Sequence, residues 1–305
     1  MTDRREFIEG LAASLAVCAG CTSMRRDRRK IALNPSTIRG YRLTFKEQVE
    51  VAVKAGFAGF EPWLKDVHAA RKTGELGEAL RIAADGNLKF VNGIAFGPWA
   101  HSDAGMRVVG LEETKRDMAA LAEMECPCIA ASMFGMQKPS AERLSKLEIS
   151  ERYLAVCELG DKMGVKPLLE YWGHSSNMCR LEDALAVLML TNRTDGAVLA
   201  DVYHTYRGGS DFASFSRLKP GMLPVLHVND YPTDRPRTEL TDADRVWPGL
   251  GGAPWDDLAA RLQAAELDPW LSVELFNPNY WQTNPLETLR EGFAIMEKLE
   301  RRLHG

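Results

Sequence analysis

The sequence predicts an α/β protein folded as a (β/α)8 TIM barrel, and three observations carry that prediction. From Ile31 onward, strand and helix signals alternate eight times within a chain of 305 residues, a length ordinary for one such barrel. The strand candidates of the second half are short aliphatic, β-branched runs rather than alternating ones, as buried parallel strands are. Several of these runs end abruptly in an ionisable side chain, which is how a barrel strand looks where it opens into a site.

The strands and helices can be taken in order. Ile31–Asn34 opens the series. Thr44-Phe45-Lys46-Glu47 is a capping box that starts a helix running to Gly56. Phe57–Trp63 (FAGFEPW) is the second strand, with Glu61 near its end, and a helix near Glu75–Asp85 follows. Strand Leu88–Phe96, helix Leu111–Met124, strand Cys128–Phe134 and helix Ile149–Met163 come next. Val165–Tyr171 (VKPLLEY) carries Glu170 and precedes helix Leu181–Leu190; Ala197–Tyr203 (AVLADVY) carries Asp201 and precedes a short helix near Phe212–Leu218. The seventh strand, in the run Leu223–Asp230, carries His227 and is followed by a longer loop, Thr233–Gly252, and helix Trp255–Ala265. Trp270–Phe276 (WLSVELF) carries Glu274. The last helix opens with Asn284-Pro285-Leu286-Glu287, a cap, a proline at the first helical position and a glutamate in the first turn. An open doubly wound sheet would want a glycine-rich first turn for a nucleotide. The turn here is Asn34-Pro35-Ser36-Thr37.

Residues 31–305 therefore read as one catalytic barrel, and residues 1–30 as a separate leader. Arg4-Arg5 followed by the apolar run Leu11–Gly20 resembles a twin-arginine export signal, and the run is too short to span a bilayer. Ala19-Gly20-Cys21 resembles a lipoprotein processing site, with Cys21 as the acylated residue; Cys18 departs from the usual pattern, and Met24–Lys30 places dense positive charge beyond it. The expectation is an exported protein, periplasmic or anchored to a membrane by lipid, against the alternative of a cytoplasmic protein with a basic tail. The six cysteines do not form a disulfide framework. The chain carries a net charge of −4; its first thirty residues hold seven Lys/Arg against four Asp/Glu, which leaves −7 on the remainder. The barrel is thus more acidic than the whole, which argues against a nucleic-acid partner. An oligomer is compatible with the chain.

Glu170, Asp201, His227 and Glu274 fall at four successive strand ends, which a closed barrel brings to one face. A lone buried carboxylate is costly unless it is paired or metal-bound. One divalent cation shared by all four is the economical reading, with Arg pairing and a satisfied core histidine as the alternatives. Three carboxylates and one imidazole make a hard, oxygen-rich site, favouring Mn²⁺ first, with Co²⁺ and Mg²⁺ after it and Zn²⁺ as a further candidate.

The strand ends LLEYWG, ADVYH, LHVND and SVELFNPNYW, with GFAGFEPW in the second strand, resemble the xylose isomerase-like TIM-barrel superfamily of sugar isomerases and epimerases, and within it the inosose isomerase/dehydratase and keto-sugar epimerase branch. The likeness runs from Ile31 to the C-terminus. It implies that Glu170, Asp201, His227 and Glu274 hold one divalent cation, and that His204 and Arg235 contact substrate oxygens.

Such a site can isomerise or epimerise a ketose, keto-sugar or inosose by proton transfer through a metal-stabilised enediolate, with Glu170 and Glu274 as base and acid on its two faces. Loss of a β-oxygen from the same site would make the enzyme a dehydratase, a carbon–oxygen lyase. Trp63, Trp99 and Trp172 end or follow strands, where they could stack on apolar sugar faces or pack the barrel rim. A metal-dependent phosphodiesterase or nuclease on the same fold, and an inactive sugar-binding protein, are the readings from other classes.

Overall fold

A computed structural model describes residues 30–304; the export signal and Cys21 lie outside the described residues. Eight parallel strands are present: β1 (Ile31–Leu33), β2 (Gly59–Phe60), β3 (Lys89–Phe90), β4 (Cys128–Ser132), β5 (Lys166–Glu170), β6 (Val198–Asp201), β7 (Val225–Val228) and β8 (Trp270–Val273). Their order is β3-β2-β1-β8-β7-β6-β5-β4. The two ends of that order meet at Gly93, which bridges Ile129 in parallel. There Gly93 N donates to Cys128 O at 2.9 Å and Ala130 N donates to Gly93 O at 2.8 Å. The sheet is therefore closed into a barrel. A Cβ on Gly93 would lie 2.6 Å from Leu121 and 2.8 Å from Leu64, so glycine lets the seam approach the helices around it.

The helices are α1 (Phe45–Ala55), α2 (Leu64–Thr73), α3 (Leu76–Asp85), α4 (Ala104–Glu123), α5 (Lys146–Met163), α6 (Leu181–Leu190), α7 (Val202–Gly208), α8 (Trp255–Ala264) and α9 (Pro285–His304). The Thr44/Glu47 capping box holds the start of α1, and Gly56, at φ 100°, ends it. A second box, Ser145 with Glu148, starts α5.

Several elements differ from what the sequence predicts. Helix α2 was not expected; its mean character is too polar to announce a core face, yet Leu64, Val67 and Ala70 are buried. Helix α4 starts at Ala104 because Asp103 accepts from Met106 N. The sixth strand ends at Asp201, whose side chain accepts from His204 N and caps α7 directly. The strands at β2 and β3 are also shorter than the apolar runs that contain them, the runs continuing as isolated parallel bridges, Trp63 with Ile94 and Gly93 with Ile129.

Alternation along each strand sorts the side chains. Leu33, Leu169, Ala200, Leu226 and Val273 pack outward in the main core beneath the helices. Ala32, Val91, Cys128, Ala130, Leu168, Leu199 and Val225 fill the barrel interior, with Trp270 packed against them. Two residues beyond Ala32, Leu168, Leu199 and Val225 stand Asn34, Glu170, Asp201 and His227. The same inward column that packs the barrel thus becomes the polar floor of its C-terminal mouth.

Candidate metal centre and site

Asp201, His227 and Glu274 are all buried, and one ligand atom from each lies within 4.8 Å of the others. Register brings them together: Asp201 pairs with His227, and His227 with Ser272, two residues before Glu274. Asp201 Oδ1 accepts from His204 N at 2.6 Å. Its Oδ2 accepts from Asn229 Nδ2 and Arg245 Nη1, both at 2.9 Å. Glu274 Oε1 accepts from Asn34 Nδ2 at 3.1 Å and Oε2 from Arg245 Nη1 at 2.7 Å.

His227 is anchored from behind. Its Nε2 lies 2.9 Å from Glu61 Oε2, and Glu61 in turn accepts from Asn92 Nδ2 at 2.8 Å, Asn34 Nδ2 at 3.3 Å and the Ser272 hydroxyl. Burial opposes charge on Glu61, but His227, Ser272 and Asn92 together hold its carboxyl below the ordinary value. With Nε2 committed to Glu61, His227 turns Nδ1 toward Glu274 Oε2 at 3.2 Å and Asp201 Oδ2 at 3.8 Å. This Nδ1 is buried and has no hydrogen-bond partner. A carboxylate fixing one imidazole nitrogen while the other faces two carboxylates is the arrangement of a metal-ligating histidine.

Charge makes the same point. Glu61, Glu170, Asp201 and Glu274 are all buried, and the buried guanidinium among them is Arg245. With Glu170 pushed toward its neutral form and His227 drawn toward its charged one, three carboxylates crowd Arg245 and His227, a cluster that burial punishes unless it is fully compensated. The donor set fits a divalent cation.

Glu170 stands at the end of β5, outside the close group of three. Burial pushes its carboxyl up to about 8; His227 opposes the rise, while Glu274 and Asp201 add to it. It therefore lies within electrostatic reach of all three. His204 is buried, and desolvation takes its imidazole down to about 3 although Asp201 favours the charged form.

The aromatic candidates divide. Trp63 donates to Asn34 Oδ1 at 3.0 Å and its ring lies 5.6 Å from Phe96. Phe96 in turn meets Trp172 at 6.4 Å, and Trp172 stacks on His174 at 5.7 Å. These rings make a wall along one side of the mouth. Trp99 is not part of it: buried and packed on Tyr153 at 5.7 Å, it belongs to the main core. It directly follows Gly97-Pro98, beside Gly110 of α4 and against Tyr153 of α5, away from the mouth.

Arg235 also lies elsewhere. Its side chain is 44% exposed and pairs with Asp234 and Asp244. The arginine that reaches the strand ends is Arg245. An antiparallel bridge between Asp230 and Val246 folds the long loop after β7 back on itself and returns Arg245 to the mouth. There Arg245 is clasped between Tyr203, 4.6 Å away, and Phe276, 5.0 Å away. Its Nη2 contacts His204 Nε2 at 3.1 Å and donates to Asp242 at 2.7 Å.

Sequence reading passed over Glu61, Asn34, Asn92, Asn229 and Arg245. Glu61 had a signal, since it ends an apolar strand run as Glu170 and Glu274 do. Asn34 and Asn229 likewise sit at strand ends. Arg245 had none, because only the fold-back of its loop brings it in.

The family model described as "Xylose isomerase-like TIM barrel" matches residues 49–299. The inosose isomerase of Bacillus subtilis (strain 168) is 28% identical over 163 residues, which cover 53% of this chain and 58% of that protein. The chain thus matches little more than half the length of this curated relative. A solved structure of IOLI protein with a binding zinc atom superposes with a TM-score of 0.80 at 21% identity, covering 89% of this chain and 98% of that one. D-psicose 3-epimerase, solved in the presence of D-fructose, gives 0.71 at 14% identity over 90% and 99% of the two chains. At these identities the solved structures speak for the fold.

Proposed function

The chain belongs to the xylose isomerase-like TIM barrel family, and from that premise we propose that it is a divalent-metal-dependent isomerase or epimerase of a ketose, keto-sugar or inosose. The observation that carries this reading is the buried, unpartnered Nδ1 of His227 facing the carboxylates of Asp201 and Glu274. Asp201, His227 and Glu274 would hold the cation, with Glu170 beside them. When bound, the cation supplies Lewis acidity for a carbonyl oxygen and its neighbouring hydroxyl.

The chain's own residues supply the rest. Removing a proton from the carbon between carbonyl and hydroxyl needs a base, and returning it to the other face or the next carbon needs an acid. Glu170 and Glu274 come from β5 and β8, separated in the ring by β6 and β7. They can therefore serve opposite sides of a substrate lying across the mouth. Asn34 and Arg245 fix the Glu274 carboxylate. Trp63, Phe96 and Trp172 offer apolar faces to a sugar or cyclitol ring and keep water from it. The similarity to an inosose isomerase supports a polyhydroxylated keto substrate.

The test is a panel of ketoses, keto-sugars and inososes in D₂O, with protein stripped of metal and reloaded separately with Mn²⁺, Co²⁺, Mg²⁺ and Zn²⁺. Metal-dependent deuterium incorporation beside the carbonyl, accompanied by an isomerised product, is expected. Incorporation accompanied by loss of water would instead mark a dehydratase. Metal-loaded protein that exchanges no proton with any member of the panel would sink the proposal.

A further inference from the structure

We infer that Arg39 and Lys65, both held against the indole of Trp63 at the rim of the mouth, form an oxyanion subsite, and that the keto-sugar this chain takes carries a carboxylate or phosphate. Arg39 Cζ lies 5.6 Å from the Trp63 ring and 5.5 Å from the Phe276 ring. Lys65 Nζ lies 4.5 Å from the Trp63 ring. Trp63 and Phe276 are themselves 6.5 Å apart, so the Arg39 guanidinium spans two rings of the mouth. This corner adjoins Glu274: Trp63 Nε1 donates to Asn34 Oδ1 at 3.0 Å, and Asn34 Nδ2 donates to Glu274 Oε1 at 3.1 Å.

Neither cation is neutralised. Among the described residues, neither makes an ion pair with a carboxylate, and their side chains contact aromatic faces. A carboxylate partner would cancel the charge, whereas a ring holds a cation in place and leaves it able to act on a third group. Arg39 and Lys65 are exposed, and Trp63 and Phe276 partly so, so a ligand entering the mouth reaches them. Solvated lysines and arginines are ordinary on a surface. These two are seated on the ring that walls the site.

Local structure places both side chains at a cost that helix stability does not explain. Lys65 is the second residue of α2, whose N-cap, Trp63, makes no side-chain capping bond. A lysine there faces the positive end of the helix dipole, where negative charge is favoured. Arg39 stands on the 3-10 segment Pro35–Tyr41. Its backbone is fixed: Ser36 N donates to Asn34 Oδ1 at 3.0 Å, Trp281 Nε1 donates to Thr37 O at 2.9 Å, and the Trp281 ring leaves no room for a Cβ at Gly40. The floor of the mouth holds Glu61, Glu170, Asp201 and Glu274, so an anionic group needs cations of its own. Arg39 offers a planar fork and Lys65 a point charge, both suited to a carboxylate or phosphate. The inference rests on the reading of the mouth as a keto-sugar site.

The experiment is titration calorimetry on the Mn²⁺-loaded full chain with three ketoses that differ only at the end remote from the carbonyl: D-fructose, D-fructuronate and D-fructose 6-phosphate. Wild-type protein should bind at least one of the two anionic ketoses on the order of tenfold more tightly than D-fructose, the scale of two exposed charge-assisted contacts. The arm that gains distinguishes carboxylate from phosphate, and the gain should shrink as NaCl is raised. Combining Arg39→Met with Lys65→Met should abolish the preference and leave D-fructose binding as in wild type. Should the double variant fail to fold, each single variant should lose part of the preference. Equal or absent binding of all three ketoses by wild type would overturn the inference. So would a preference that survives in every folded variant, because another group would then carry it. Binding is read without turnover, so the two readings fail separately. An enzyme that turns over only neutral ketoses keeps its proposed function and loses the subsite; anion binding through Arg39 and Lys65 without turnover does the reverse.

Discussion

At the scale of single residues, the site depends on which atoms already have partners. Glu61 holds Nε2 of His227 and so decides that Nδ1 faces the other carboxylates. Such outer partners typically contribute 10–100-fold in metal affinity. Glu61→Gln should weaken binding of Zn²⁺ or Mn²⁺ by roughly that factor, measured by titration calorimetry on stripped protein; unchanged affinity would remove Glu61 from the metal's support. Glu170→Gln and Glu274→Gln address the acid–base assignment. The amide keeps an oxygen able to coordinate but cannot carry the proton, so metal should still bind while turnover falls by about 10²–10⁴. Steady-state rates alongside metal content decide this. If both variants turn over substrate at near wild-type rate with metal bound, the two glutamates are not the acid and base.

At the scale of elements, the loop after β7 determines who enters the site. Asp230 ends that strand and organises the return of the loop. Its carboxylate accepts from Tyr231 N, Gly249 N, Ala253 N and Trp255 Nε1, all between 2.8 and 2.9 Å. Gly251 passes so close that a Cβ there would meet Tyr231 O at 2.3 Å and Asp230 Oδ1 at 2.4 Å. Backbone and a fully bonded carboxylate cannot give way cheaply. Gly251→Ala should therefore destabilise the fold by roughly 1–3 kcal/mol, the usual range for overpacking, read as a lowered midpoint in urea. It should also reduce activity in the surviving folded protein, because Arg245 depends on this loop. A variant with wild-type midpoint and wild-type rate would show that the loop tolerates the added methyl.

At the scale of the whole molecule, the barrel concentrates buried negative charge at one end. Glu61, Glu170, Asp201 and Glu274 are all buried at the strand ends, and Arg245 and His227 offset only part of their charge. A cation that binds the folded state and not the unfolded one stabilises it by mass action, about 2.7 kcal/mol at a hundredfold excess over its dissociation constant. Chelation should lower the thermal midpoint and reloading should restore it, with a concentration dependence that follows the measured affinity. A midpoint indifferent to metal would speak against a resident ion. The leader raises a separate prediction. From Arg4-Arg5 and the apolar run after it, we propose that the protein is exported and that residues before about Cys21 are removed. Mass spectrometry of protein from fractionated cells should find the shortened chain, with added mass on Cys21 if it is acylated; an intact N-terminus on cytoplasmic protein would refute export.

The barrel was legible in the sequence because its signals are local. Val165–Tyr171 lies between Gly164 and Gly173, and Trp270–Phe276 between Pro269 and Pro278; once such a run is a strand, its backbone turns every second residue inward. That period also marks Glu170, Asp201, His227 and Glu274 as inward residues at strand ends, whatever their distance in sequence. What the sequence could not convey is how partners are shared among them. Glu61 looks like any other strand-end glutamate until Asn34, Asn92, Ser272 and His227 are seen to converge on it. Trp99 looks like a rim residue until it is found against Tyr153. Arg235 and Arg245 lie ten positions apart in one polar loop, with no periodicity to separate them. Only the bridge from Asp230 to Val246 turns one into the mouth and leaves the other in solvent. Local periodicity determines which side of a strand a residue faces, because that is a property of the backbone. Which buried charges compensate one another is a property of contacts between distant segments, and only the closed barrel decides it.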